Sequence, residues 1–111
     1  MIINLTQHPA TSEQLAAGVV DMKGSKLEAL KDALTFDSIP SRDDIAARAE
    51  YIAELAAMYD MSDSDDSVGI YPRTAMIGGA PFLMSALESA LMDRFISPLY
   101  AFSVIRPVYH E

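Results

Sequence analysis

A chain of 111 residues, half of them hydrophobic, can build one domain with its own core and lies far from disordered compositions. Its 16 acidic against 8 basic residues give a formal net charge of −8, which argues against the broad basic face that duplex nucleic acid or an anionic membrane requires. Cysteine is absent, which excludes disulfides, zinc–thiolate centres and thiol catalysis and makes the cytoplasm the expected location.

The opening residues, Met1-Ile2-Ile3-Asn4, carry neither a basic region nor a long apolar core, so no signal peptide is expected. No run of about 18 apolar residues is present to span a membrane. Ile2-Ile3-Asn4-Leu5 reads as a short strand, closed by Thr6-Gln7-His8-Pro9, where proline keeps His8 out of the helical region. Thr11 and Gln14 have the spacing of a capping box, which predicts a brief helix over 14–17 that stops at Gly18. Val19-Val20-Asp21 reads as a second short strand. Lys23-Gly24-Ser25 reads as a turn. Ser25 with Glu28 repeats the cap pattern ahead of a helix marked by Leu27, Leu30 and Leu34. Beyond a connector containing Ile39-Pro40, Ser41 is expected to cap the longest helix, over 42–59. Its apolar stripe is Ile45, Ala49, Ile52, Leu55 or Ala56, and Tyr59. Asp43 and Asp44 suit the positive end of that helix, and Asp44 stands four residues before Arg48.

Residues 60–67 are the one low-complexity stretch and read as a polar surface loop. An EF-hand is ruled out there, because its sixth position is Asp65 rather than glycine and its twelfth is Tyr71 rather than glutamate. Thr74-Ala75-Met76-Ile77 reads as a buried strand running into Gly78-Gly79. Pro81 then stands at the first position of a helix whose apolar face is Phe82, Leu83, Ala86, Leu87, Ala90 and Leu91. Met76, Met84 and Met92 read as core gap-fillers. Ser97-Pro98 is expected to end the helix, and residues 99–105 to form the last strand.

Strands alternating with helices predict a single α/β domain over 1–111. We expect a small, mainly parallel sheet of three or four strands with flanking helices, Rossmann-like in kind. In such sheets ligands bind beyond the carboxyl ends of the strands. The loops expected there offer Thr6 and His8 after the first strand, Gly78 and Gly79 after the middle strand, and Ser103 and Arg106 at the last. Glycine lets a backbone approach an anion, a helix N-terminus attracts it, and a guanidinium binds it in two-pronged fashion. His8 adds a group able to donate, accept or titrate. No Walker lysine, GxGxxG or Gly-x-Ser-x-Gly is present, so the residues assign no reaction. No metal or cofactor is expected, because the two histidines, His8 and His110, have no ligand spacing.

Asn4-Leu5-Thr6-Gln7-His8, the Gly78-Gly79-Ala80-Pro81 turn and the late Phe102-Ser103 segment together resemble small uncharacterised bacterial and phage proteins. The general layout also resembles the CRISPR-associated Rossmann-like group that binds cyclic oligonucleotides, its ring nucleases included. That resemblance implies Thr6, His8, Gly78, Gly79 and Arg106 as ligand-binding positions. Two readings follow. One is a domain that binds a nucleotide, a phosphorylated small molecule or another small anion. The other is a non-enzymatic interaction module that acts as a homodimer or a subunit.

Overall fold

The computed structural model of the protein describes residues 1–59 and 74–101. Four strands, β1 (Ile2–Asn4), β2 (Val19–Asp21), β3 (Thr74–Ile77) and β4 (Ser97–Tyr100), form one sheet in the order β2-β1-β3-β4. Every neighbouring pair is parallel. The helices are α1 (Ser12–Ala16), α2 (Gly24–Leu34), α3 (Arg42–Met58) and α4 (Pro81–Met92). The expected α/β class and parallel sheet are therefore present. None of these helices is long and apolar enough to cross a membrane.

Strand alternation decides which side chains face which layer. Ile3, Leu5, Ala75 and Ile77 point to one face, where they join Leu30 and Leu34 of α2, Ala49, Ile52, Ala53 and Ala56 of α3, and Leu83, Leu87 and Leu91 of α4 in one buried cluster. Asn4, Asp21 and Met76 stand level in the register and share the opposite face. The chain steps one way from β1 to β2 and the other way from β2 through β3 to β4. Crossovers of uniform hand then require α1 to lie on the opposite side of the sheet from the other three helices.

Local chemistry explains most element boundaries. Thr11 and Gln14 form the expected capping box at α1 (Thr11 N to Gln14 Oε1 2.9 Å, Gln14 N to Thr11 Oγ1 3.1 Å), and the helix starts two residues before the predicted span. Ser41 caps α3 through the Asp44 amide at 3.1 Å. The last turn of α2 is closed by Arg48, which donates to the carbonyls of Ala33 and Thr35, lies 4.1 Å over the Phe36 ring and pairs with Asp44 at 3.5 Å.

Four expectations need correction. Ser25 does not cap α2; the helix begins at Gly24, with φ +65, behind Lys23, which supplies no side-chain cap. The last strand begins at Ser97 rather than at 99 and takes in Pro98, which stands opposite Ala75. That proline is tolerated because β4 is the outermost of the four strands, where one side of the backbone has no strand to bond among the described residues. Phe82 is 48% exposed and packs edge-on to Phe36, with ring centroids 4.9 Å apart, instead of entering the core. Met92 is 54% exposed, because α4 turns that position away from α3 and the sheet. The predicted loop over 60–67 and the predicted end of the last strand lie outside the described residues.

Candidate functional site

The reversal of strand order between β1 and β3 opens a crevice at the carboxyl edge of the sheet, because the chain leaves the two strands toward opposite sides. A cavity of about 380 Å³ occupies it. Its wall includes Thr6, His8, Gln14, Met76, Gly78 and Gly79. Thr6, His8, Gly78 and Gly79, nominated from the sequence, therefore meet at one place. Ser103 and Arg106 lie outside the described residues; Ala101, just after β4, does line the cavity.

Asn4 organises the loop that follows β1. It is 4% exposed, and all four hydrogen-bonding positions of its amide are filled. Its Nδ2 donates to the His8 carbonyl and to Asp21 Oδ1, both at 2.8 Å. Its Oδ1 accepts from the Thr6 amide at 2.9 Å and the Thr6 hydroxyl at 2.7 Å. The Thr6 hydroxyl also lies 3.0 Å from the His8 carbonyl, so it is engaged within the loop. Asp21, one strand away, takes the Ala10 amide at 3.1 Å as well. Gln7 reaches across to Thr35 at the end of α2, at 3.2 Å.

These bonds hold His8 by its backbone alone. Its imidazole is exposed and, among the described residues, has no hydrogen-bond partner. A fixed backbone with an unengaged ring at a cavity wall is the arrangement a ligand-contacting histidine needs.

The opposite wall is the glycine turn. Gly79 has φ +142, a conformation that side chains rarely adopt. A Cβ there would meet only Met84 Cε at 3.8 Å, so the demand for glycine is conformational rather than spatial. Gly78 has no such backbone restriction, and a Cβ there would sit 3.6 Å from Thr6 Cγ2. Ala80 and Pro81 lead into α4, whose N-terminus has no side-chain cap. Pro81 carries no amide proton and the Leu83 amide already bonds the Ala80 carbonyl at 3.0 Å, so this helix start offers few free donors and the open backbone at the wall is that of Gly78 and Gly79. The cavity wall carries no lysine or arginine among the described residues.

The loop after β1 has a second side. A cavity of about 340 Å³ lies between it and α2, lined by Thr6, His8, Asp21, Lys23, Leu27 and Lys31 among others. Sequence reasoning passed over Asn4, Asp21, Lys23 and Lys31. The signal for the first two was present: each is a polar residue closing an apolar strand, and parallel register sets them side by side. No three His, Asp or Glu side chains gather among the described residues as a metal site would need.

No curated protein and no solved structure matches the chain. The family model described as the uncharacterized protein MJ1673 family matches residues 1–109, and the chain belongs to that family.

Proposed function

For this member of the MJ1673 family, we propose a ligand-binding function: the chain takes a nucleotide or another small anionic molecule in the crevice between β1 and β3. The observation that carries the reading is the meeting of the unengaged His8 imidazole and the Gly78-Gly79 backbone, with Ala80 before α4, around one cavity. A volume of about 380 Å³ lies near the lower end of the range for small-molecule sites, roughly 300–1,000 Å³, which favours a metabolite-sized ligand over a large one. The net charge of −8 does not oppose this. Surface charges more than about 8 Å away are largely screened at physiological salt, so the local donors decide. We place the protein in the cytoplasm, on the absence of cysteine.

The test is a calorimetric screen of mononucleotides, cyclic oligonucleotides and phosphorylated metabolites, with amide-shift mapping of each binder. Binders should shift His8, Gly78 and Gly79. His8→Ala should weaken binding about tenfold without unfolding the protein, because only the backbone of His8 holds the loop. Gly78→Val, which fills the space beside Thr6, should weaken it further. Absence of any binder, or shifts confined to the far edge of the sheet, would refute the reading.

A second reading, an interaction module, is supported by α4 and the turn after it. Phe82, Met92 and Phe95 are 48%, 54% and 85% exposed along that segment. Exposed apolar side chains grouped on one element suit a partner surface. A tight dimer in sedimentation equilibrium that is broken by Phe95→Asp, with no binder in the screen, would favour it.

A further inference from the structure

The cavity between the β1 loop and α2 has a charge pattern at odds with the rest of the chain. The protein has only three lysines, Lys23, Lys26 and Lys31, and all three stand at or on α2. Lys26 lies over the Tyr59 ring at 5.4 Å. Lys23 and Lys31 both line the cavity, and among the described residues neither forms an ion pair. In a chain with twice as many acids as bases, two lysines sharing one cavity without a carboxylate partner is unexpected. Asp21, the one carboxylate in the wall among the described residues, is turned to other work: its oxygens accept from Asn4 Nδ2 and the Ala10 amide. The same loop, with Thr6, Gln7, His8 and Pro9, separates this cavity from the one at the strand crossover, so His8 borders both.

We propose that this second cavity is the phosphoryl subsite of the ligand, with Lys23 and Lys31 supplying the charge and His8 standing between phosphoryl group and ligand body. The assignment rests on the ligand-binding reading above and adds the place of the charge. The main cavity has no cation in its described wall, whereas two ammonium groups match the charge of a phosphate monoester, about −2 near neutral pH. Lysine serves such a group as a point charge with three donors.

Inorganic phosphate is the probe, titrated into the full chain at low ionic strength while amide shifts are followed. Saturable shifts should centre on His8, Lys23 and Gly24. The double variant Lys23→Gln/Lys31→Gln should weaken the response about tenfold, and Lys23→Arg/Lys31→Arg should restore it. Lys26→Gln removes one charge from the same helix and should leave the response nearly unchanged. Lys23 precedes the helix, Lys26 stands in its first turn and Lys31 in its last, none of them buried, and circular dichroism verifies that each variant is folded. The proposal is overturned if phosphate causes no saturable shift, if the shifts centre on Gly78 and Gly79, or if Lys26→Gln weakens the response as much as the double variant does. The main-cavity reading is judged separately, by whether mononucleotides shift Gly78 and Gly79, so either can fail while the other stands.

Discussion

Asn4 shows how much of the site depends on a single amide. It joins β1, β2 and the intervening loop, and every donor and acceptor it carries is used inside the fold. Asn4→Asp keeps the shape and the bonds from Thr6 but replaces the Nδ2 donor with an oxygen facing Asp21 and the His8 carbonyl. Burying that carboxylate beside another should destabilise the protein by about 3 kcal/mol or more at neutral pH. The sign with pH follows from linkage. The new carboxyl has a native pKa raised above its unfolded value, so the variant loses stability as pH rises through the carboxylate range and regains it as pH falls. Urea melts of both proteins between acid and neutral pH test this; a penalty independent of pH would mean that Asp21 is not the group Asn4 serves. His8 makes the complementary point. Its side chain contributes nothing to that lattice of bonds, so the residue was legible from the sequence as a candidate only through its place at a strand end.

At the scale of elements, α4 follows the site and has an unusual terminus. Its N-cap, Ala80, lines the cavity, and Pro81 stands at its first position, as the sequence predicts. Its end is a Schellman turn: the Ile96 amide bonds the Leu91 carbonyl at 3.0 Å and the Phe95 amide bonds the Met92 carbonyl at 3.0 Å. Leu91 and Ile96 are both buried, which completes the apolar contact of that motif. The residue in the left-handed position is Phe95, at φ +61, where glycine is usual. Phe95→Gly should therefore stabilise the protein by about 1 kcal/mol, the strain relieved less the added freedom of the unfolded chain. A thermal melt measures it, and an unchanged or lower midpoint would show that the Phe95 ring contributes packing its exposure does not suggest. The helix ends also separate the readable from the unreadable. Thr11 and Ser41 cap their helices through contacts a few residues away, so sequence spacing reveals them. Ser25 has the same local pattern and is not used, because the strand-to-helix connection starts the helix earlier, at Gly24.

For the whole molecule, the sheet order explains where the crevice lies. One face is sealed by α2, α3 and α4 through a continuous apolar cluster, and Leu87 is fully buried within it. Leu87→Ala should cost about 2–5 kcal/mol, read as a lower urea midpoint with an unchanged slope. A cost near zero would mean the helical layer can collapse onto the sheet without it. The opposite face holds the polar row of Asn4 and Asp21 with the short helix α1. This asymmetry lets a strongly acidic protein keep a rigid polar loop and two cavities along the same sheet edge.

The amino-acid sequence by itself determined the class of fold, the succession of strands and helices, the caps at Thr11 and Ser41, and the strand ends where Thr6, His8, Gly78 and Gly79 stand. Those features depend on periodicity, chain reversal and contacts within a few residues, all of which sequence spacing records. Only the tertiary structure decided that β1 pairs with both β2 and β3, and so that Asn4 meets Asp21. It likewise decided that Pro98 is held within an outer strand, that Phe82 packs edge-on against Phe36, and that Lys23 and Lys31 face one cavity with His8. These outcomes depend on register and on which faces the helices cover. Both are settled by burying the most apolar surface at once, a condition that no local stretch of sequence expresses.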